Sequence, residues 1–411
     1  MFEIDLDIDN KKFDSFVKEH STGELLQLAS WGEVKSVNEW YFEKIAIKNN
    51  NKVVASCLVL FRRLGLGKYT IAYIPKGYTG DNKNSELNMK IINEVKKLCK
   101  KHHAILIDFE TNVLRNNSKI LVDDLKNQGF KVRGHEEKDF PYQTQYDMIV
   151  HFKDLETDTR EYLNKKTERL LRVAEKAQLK IENAGLEKVD IFTQLSDETS
   201  ERNGISLRNN EYYKNIIEFF KRDNDVDFYL ISLDANTFKN NIENNIKLLE
   251  KEIAGLQKKV NKSLDEKKKE VWETTITEIR NKINSLNKDI EEILKYKSDS
   301  IYLSGCLVLY CGKKSYYLYA ASSNKFRYLQ PNIYMNYKAM ENARKRGCVS
   351  YNLGGVKSIN DNLYTFKKSL GGECVEYEGV FTYVVNRPIY ILFETALKIR
   401  KKLIKIKNKR K

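Results

Sequence analysis

The chain has 411 residues, of which 41% are hydrophobic and 31% charged, a balance typical of a soluble globular protein with two or three domains and not of a disordered one. Six scattered cysteines form no CxxC pair, so we expect reduced, mostly buried thiols. The five histidines lack ligand spacing, which argues against a metal site. The sequence shows neither an apolar run of the roughly 20 residues that span a bilayer nor a signal peptide, which predicts a cytoplasmic protein.

The net charge of +15 indicates anionic partners such as transfer RNA, phosphates or a membrane surface. More than half of it lies at the C-terminus, because nine of the fourteen residues from Lys398 to Lys411 are basic and none is acidic.

The first predicted elements form a β-hairpin, a helix and a buried strand. They are strands over Ile45–Lys48, Val53–Phe61 and Tyr69–Ile74, a helix over Glu86–Lys101 and a strand over Ala104–Phe109. The same order returns in the second half, at Phe228–Leu233, Ile301–Tyr310, Ser315–Ala320, Ile333–Arg344 and Val349–Leu353. An internal duplication explains this order better than coincidence does. Each copy predicts a mixed sheet with packed helices, which makes the fold α/β or α+β with two acetyltransferase-like (GNAT-like) subdomains.

A polar segment interrupts the second copy between Leu233 and Ile301 and carries apolar residues at heptad spacing. They are Ile246, Leu249, Ile253, Leu256 and Val260, then Trp272, Ile276, Ile279, Ile283, Leu286, Ile290 and Ile293. This pattern predicts an antiparallel two-helix coiled-coil arm about 35–40 Å long. With fourteen basic and twelve acidic residues between Ala235 and Ser300, the arm is nearly neutral. A spacer or partner-docking arm therefore explains it better than an RNA-binding arm.

The predicted organisation has four parts. Residues 1–152 form the first subdomain, 153–235 with 300–386 the second, 236–299 the arm and 387–411 a basic C-terminal helix. Pro388 suits the first turn of that helix, and its lysines alternate with apolar residues. This pattern favours a helix lying on an anionic membrane face, while a solvating tail or one that meets RNA phosphates remains the alternative.

Several motifs in one order resemble the Fem family of peptidoglycan interpeptide-bridge aminoacyltransferases, and most closely its members that add the first bridge residue. These are Leu25–Lys35, Tyr73-Ile-Pro-Lys-Gly77, the basic segment Asn164–Arg172, Glu201-Arg-Asn-Gly with Arg208 and Tyr212, Ser315–Arg327, and Phe366-Lys-Lys with Gly371-Gly372. The resemblance covers nearly the whole chain. One departure is Asn352, where relatives often have aspartate, which puts a carboxylate role at this position in doubt.

The resemblance implies transfer of glycine, alanine or serine from aminoacyl-tRNA to the stem-peptide lysine of lipid II or of its nucleotide-linked precursor. The activated ester drives this reaction, so no cofactor is expected. Further expected partners are an anionic membrane surface and related Fem proteins. The expected location is the cytoplasm, at the inner face of the membrane.

The candidate catalytic residues are Lys367 and Asp108. An ammonium at Lys367 could polarise the ester carbonyl or hold terminal phosphates of the tRNA. Asp108, at the end of a buried strand, could accept a proton from the attacking amine, a role that Glu376 or Glu378 could share; a strand-ending structural aspartate is as good an explanation.

The candidate substrate-binding residues begin with a diphosphate clamp of Lys35 and Arg208, supported by Tyr212 if a helix places it on the same face as Arg208. The remaining members of the set are Tyr73, Lys76, Phe366 and Tyr319. Solvated surface positions are the alternative for the basic residues.

Two other functions compete. An acyl-CoA-dependent N-acyltransferase would share the fold, but Leu64–Lys68, the Gly-rich segment, precedes no predicted helix. A non-catalytic coiled-coil adaptor would use the arm alone.

Overall fold

The computed structural model describes residues 2–409 except 38, 66, 116, 118, 134–143 and 155, and only the backbone of residues 401 and 403–409. Two β-sheets form the fold. In spatial order, the first contains β1 (Phe2–Asp5), β2 (Trp40–Asn49), β3 (Lys52–Arg63), β4 (Thr70–Ile74), β6 (Ala104–Glu110), β15 (Val380–Val384) and β7 (Lys131–Arg133), with the short β5 (Thr79–Gly80) paired to β3. The second contains β14 (Glu373–Glu376), β8 (Tyr146–His151), β13 (Ser350–Val356), β12 (Lys314–Ser322), β11 (Ser300–Cys311), β10 (Val226–Asp234) and β9 (Lys180–Asn183).

Helices cover the sheets and link them. They are α1 (Asn10–Glu19), α2 (Ala29–Ser36), α3 (Ser85–Lys101), α4 (Ile120–Asn127), α5 (Lys165–Lys176), α6 (Val189–Asn203), α7 (Asn210–Lys221), α8 (Ala235–Lys262), α9 (Glu266–Ile293), α10 (Pro331–Lys345), α11 (Asn362–Ser369) and α12 (Arg387–Lys409).

The two sheets have the same topology, as the repeated sequence pattern predicts. In each, three antiparallel strands are followed by a helix and a parallel strand, so that β4 and β6 correspond to β12 and β13. The predicted helices and strands of both copies are present at these positions, and the predicted mixed α/β fold is confirmed.

The two halves also exchange a strand. The strand β8, from the first half of the chain, pairs with β13 in the second sheet, and β15, from the second half, pairs with β6 in the first. The strand β8 therefore precedes the predicted boundary at residue 152 but belongs to the second sheet. The strand β15 precedes the predicted boundary at residue 386 but belongs to the first sheet. The division into domains stays a prediction, and the exchanged strands tie the two halves together.

Among the described residues, three large apolar cores follow from alternation along the strands. In β3, Cys57, Val59 and Phe61 face α3 and α4, whereas Leu58 and Leu60 face a central core shared by both halves. That central core includes the buried residues of α2, α6 and α7. The third core lies under α5 and α10 on the second sheet. All six cysteines are free and five are buried, as expected; Cys374 is exposed.

The arm is the antiparallel pair α8 and α9, inserted between the paired strands β10 and β11. Leu249, Ile276, Ile279 and Ile293 of the predicted heptads are buried. At its base, Phe238 packs edge-on against Phe326 with ring centroids 6.0 Å apart. The predicted arm is therefore confirmed. No helix among the described residues has the length and apolarity to cross a bilayer.

Candidate active site

A cationic cleft opens where α2 meets the segment before α7. Its cavity, about 280 Å³, is lined by Lys35, Trp40, Leu207, Arg208, Asn209 and Tyr212. Lys35 lies in the last turn of α2 and Trp40 begins β2, so elements distant in sequence supply the two sides. The structure thus brings together Lys35 and Arg208, the two cations of the predicted clamp, and the tyrosine expected to support them, Tyr212.

Aromatic rings, and not carboxylates, surround the two cations in the contacts of this cleft. The Lys35 ammonium lies 5.4 Å from the Trp40 ring and 5.8 Å from the Tyr212 ring, and the Arg208 guanidinium lies 5.1 Å from the Tyr212 ring. Burial first, then repulsion from Arg208 and Arg62, lowers the pKa of Lys35 to about 8. Two cations held close together in this way form a site suited to a polyanion.

The helical spacing predicted for Arg208 and Tyr212 is wrong. Helix α7 begins at Asn210, because the Asn209 side chain caps it by accepting a hydrogen bond from the Tyr212 backbone N–H at 3.0 Å. Arg208 therefore precedes the helix, and it folds back over the Tyr212 ring from the loop.

Each half of the chain places a pair of aromatic rings beside this cleft. Tyr319 of β12 packs edge-on against Tyr212, with ring centroids 6.0 Å apart. Tyr73 of β4 packs against Trp40, with centroids 6.5 Å apart. Two further predicted binding residues, Tyr319 and Tyr73, thus lie beside the clamp.

A buried polar centre continues from Tyr73 into the interface between the sheets. The Tyr73 hydroxyl donates a hydrogen bond to Glu110, and the Lys76 ammonium lies 3.5 Å from carboxylate oxygens of both Glu110 and Asp147. The Tyr377 ring lies 4.0 Å from the same ammonium. Burial opposes the charge on Lys76, but Asp147 and then Glu110 outweigh it and raise the pKa of Lys76. Lys76 is therefore a buried, permanent cation and not an exposed residue.

The backbone of Lys76 is left-handed, with φ of +55°. A side chain rarely adopts this conformation without compensation, and such positions cluster at functional sites. The two carboxylates supply that compensation by holding the ammonium in place. Burial also raises the pKa of Glu110, which makes this carboxylate a stronger base than an exposed one.

Lys367 lies in the last turn of α11 and is 9% exposed. Its ammonium donates a hydrogen bond of 2.8 Å to the Gly355 carbonyl oxygen, so the Phe366-Lys-Lys motif meets the 351–355 motif. Burial lowers the pKa of Lys367 to about 8, against the attraction of Asp147 and Asp361. Phe366, the preceding residue, is half-buried and packs against the core of the second sheet.

Asp108 is fully buried, and its carboxylate accepts a hydrogen bond from Thr382 and lies 3.4 Å from the Arg133 guanidinium. These partners favour a structural role for Asp108. Glu110, two residues along β6, shares its face of the strand and is the carboxylate that contacts Tyr73 and Lys76.

Sequence reasoning missed Glu110, Asp147, Trp40 and Tyr377. Strand alternation from Asp108 could have suggested Glu110, but β8 gives no local signal that Asp147 would face Lys76. Asn352 has a defined role here: its side-chain amide lies 3.2 Å from Asp147 and donates to that carboxylate. An amide at residue 352 thus satisfies a buried carboxylate where a second carboxylate would repel it.

Comparison with known proteins gives a match along most of the chain. A model of the FemAB family matches residues 8–398. The chain belongs to the FemAB family. A lipid II:glycine glycyltransferase from Staphylococcus aureus (strain USA300) is 33% identical to this FemAB-family member over 417 residues, with 98% of each chain covered.

Solved structures agree with this assignment. The crystal structure of FemX matches with a TM-score of 0.76 and 32% identity, covering 95% of this chain and 100% of FemX. A tandem GNAT protein from the clavulanic acid biosynthesis pathway matches with a TM-score of 0.51 at 8% identity, covering 94% and 99% of the two chains. The second likeness concerns the fold alone and bears out the two GNAT-like units.

As a FemAB-family member, the chain is an aminoacyltransferase. This excludes the alternative that the chain is a non-catalytic coiled-coil adaptor. The acyl-CoA alternative loses its main sequence signal as well, because the described residues of 64–68 connect the antiparallel strands β3 and β4 and lead into no helix.

Proposed function

We propose that the chain transfers glycine from glycyl-tRNA to the ε-amine of the stem-peptide lysine of lipid II, as the first step of interpeptide bridge synthesis. Its similarity to a lipid II:glycine glycyltransferase over 98% of the chain supports this donor and acceptor. Alanine and serine are the alternative acyl groups, because they differ from glycine by few atoms. The expected location is the cytoplasm, at the inner face of the membrane, and contact with related Fem proteins stays a prediction.

The observation that carries the proposal is a series of contacts linking the cationic cleft to Lys367. Trp40 of the cleft packs on Tyr73, and Tyr73 donates to Glu110. Glu110 and Asp147 flank the Lys76 ammonium. Asp147 pairs across the second sheet with Gly355, whose carbonyl oxygen accepts the hydrogen bond from Lys367. A diphosphate bound in the cleft would therefore be held at a fixed distance from a buried acid–base centre.

Lys35 and Arg208 would bind the diphosphate of the acceptor, because these two cations have aromatic neighbours, and none of the described residues that line the cleft is acidic. Tyr212 and Tyr319 would limit the movement of that group by packing against it. Such contacts concern a part of the substrate that does not change during the reaction, so they contribute to binding more than to chemistry.

The reaction forms an amide and breaks an ester. The neutral ε-amine attacks the ester carbonyl, the bond to the ribose oxygen breaks, and the ammonium formed loses a proton. Glu110 is the proposed proton acceptor, because burial raises its pKa. Asp108 remains a second candidate. The proton finally reaches the ribose hydroxyl that leaves.

The Lys367 ammonium would stabilise the oxyanion that develops on the ester carbonyl. In the free protein it donates to the Gly355 carbonyl oxygen, and an ester carbonyl could accept the same donor in the complex. Lys76 would keep Glu110 and Asp147 fixed beside it.

The test is transfer with mixed substrates. The protein is incubated with a pool of aminoacyl-tRNAs and either lipid II or its nucleotide-linked precursor, and the products are weighed. The proposal expects one glycine added to lipid II at the lysine. Transfer from acyl-CoA, addition of another amino acid, or use of only the nucleotide-linked acceptor would each overturn the corresponding part of it.

A further inference from the structure

Helix α12 docks on the first sheet through one face of its first two turns. Ile389, Tyr390 and Phe393 pack against Ile71 and Leu106 in a small apolar cluster. These three residues lie in the first two turns of a helix that extends to Lys409. The docked turns fix the direction of the helix, and the rest extends beyond this cluster.

A second face of α12 is apolar and exposed. Leu392, Ala396 and Ile399 have the spacing i, i+4, i+7, which places them on one side of a helix. Leu392 is 65% exposed and Ile399 is 54% exposed, as is Ile391. The contacts of the docked face leave this apolar strip to solvent.

Basic side chains flank the apolar strip. Lys398 and Lys402 are exposed and one turn apart. The sequence from Lys398 onward has nine basic residues in fourteen and no acidic one. A helix with an exposed apolar face beside a basic face is the arrangement of peptides that lie in the interface of an anionic membrane.

The location of α12 relative to the polar centre adds a second argument. Leu106, which lies under α12, and Glu110, which contacts Lys76, occupy alternate positions of β6 and so share one face of the sheet. At about 3.3 Å per residue they are roughly 13 Å apart. Helix α12 therefore covers the same face of the first sheet that carries Glu110.

We propose that α12 is a membrane-surface anchor, with Leu392 and Ile399 in the headgroup–acyl boundary and the basic residues on anionic headgroups. Binding to an RNA backbone would need only the basic residues and would not explain the exposed apolar strip. The anchor would keep the buried polar centre near a lipid-linked acceptor, and this use of it rests on the proposed function. Membrane binding itself does not depend on the proposed function.

The experiment is co-sedimentation of the full-length protein with vesicles of phosphatidylcholine alone or mixed with phosphatidylglycerol. The wild type should sediment only with the anionic vesicles and be released by salt. Leu392→Gln/Ile399→Gln and Lys398→Gln/Lys402→Gln should each weaken this binding roughly tenfold or more. The four side chains are exposed, so the variants should fold.

Matched controls come from the arm. Leu248→Gln/Val271→Gln removes two side chains that are 65% and 63% exposed, and Lys258→Gln/Lys262→Gln removes two exposed lysines. Neither should change vesicle binding. The proposal is contradicted if the tail variants sediment with anionic vesicles as fully as the wild type does. It is also contradicted if the wild type sediments equally with neutral and anionic vesicles.

A filter-binding assay with tRNA separates the two polyanions. The proposal expects the apolar double variant to lose vesicle binding and to keep tRNA binding. If the lysine variant loses only tRNA binding, the tail is an RNA contact and the anchor is wrong. Transfer to lipid II in detergent micelles reports on catalysis without a membrane surface, so failure of the proposed function is recognised by absent transfer in micelles with vesicle binding retained.

Discussion

The ammonium of Lys76, in the turn after β4 of the first sheet, lies 3.5 Å from the carboxylate of Asp147 in β8 of the second sheet. Glu110 lies at the same distance on the other side, within the first sheet. All three side chains are almost fully buried. Through Lys76, a charge contact therefore joins a carboxylate of the first sheet to one of the second, in addition to the exchanged strands and beside the residues proposed for catalysis.

Replacing Lys76 should destabilise the protein strongly. Lys76→Met leaves two buried carboxylates without their cation, and breaking a buried pair in this way costs about 3–5 kcal/mol. The free energy of unfolding, measured with urea, should fall by this amount. Lys18→Met is the matched control, because Lys18 also bridges two aspartates, Asp223 at 2.7 Å and Asp225 at 2.6 Å, but is 20% exposed. A cost for Lys76→Met no larger than the control's would contradict the role of the buried contact.

Lys367→Met should lower kcat by roughly 10²–10³-fold, because a preorganised donor at the developing oxyanion is lost. Lys368→Met is the control, since this neighbouring lysine is exposed and lies over the Tyr364 ring. The rate of transfer at saturating substrates measures the effect. Near-normal turnover of the Lys367 variant would remove this residue from the mechanism.

The same variant has a second readout in stability. Burial lowers the pKa of Lys367 from 10.5 to about 8, so at pH 7 the folded state holds a charge that it disfavours. Lys367→Met should therefore be more stable than the wild type at pH 7, by at most roughly 3 kcal/mol. Between pH 8 and 10.5 the unfolded wild type binds more protons than the folded one, so wild-type stability gains and the difference shrinks. A difference independent of pH contradicts this explanation.

Arg208→Ala should raise KM for the acceptor by about 10- to 100-fold and change kcat little, because charge-assisted bonds to phosphate contribute about 1.5–3 kcal/mol. Lys35→Ala should act in the same direction. Arg222→Ala is the matched control: it removes an arginine at the other end of α7, which pairs with Glu33 at 3.0 Å and is not among the residues lining the cleft. A fall in kcat at constant KM would be evidence against the clamp.

Acceptor binding should weaken as pH rises through 8. Burial and neighbouring arginines lower the pKa of Lys35 to about 8, so this lysine loses its charge above that pH. At pH 9 only about a tenth of the free protein would carry the charge, which predicts roughly tenfold weaker binding if the charge is required. Calorimetric titration from pH 7 to 9 measures it. Lys35→Arg should bind equally at both values, and a wild type with constant affinity would contradict the assignment.

Glu110→Gln and Asp108→Asn separate the two candidate bases. The first should lower kcat by about 10²–10⁴-fold, since a general base is lost while the side chain keeps its shape. The second should mainly reduce stability, because Arg133 loses its buried partner. Transfer rates and urea unfolding of both variants decide between them. The reverse pattern would make Asp108 the base and Glu110 a structural residue.

The order of helices and strands followed from local patterns. Alternation and heptad spacing depend on residues close in sequence, so they predicted the repeated units and the arm with bounds within a few residues. The resemblance to the Fem family pointed to Lys35 and Arg208, and these two do line one cleft. The helix start at Asn210 was missed, because the capping hydrogen bond of Asn209 decides it.

The sequence by itself thus determined the two units, the arm, the basic tail and the family, since each is encoded in short-range periodicity, composition or ordered motifs. Only the tertiary structure decided which charges meet. Lys76 has two carboxylate neighbours because β8 crosses into the second sheet. Asp108 and Glu110 differ in their surroundings, because Arg133 contacts Asp108 whereas Lys76 contacts Glu110. Such pairings join residues far apart in the chain, and the burial that sets their pKa values exists only once both sheets have assembled.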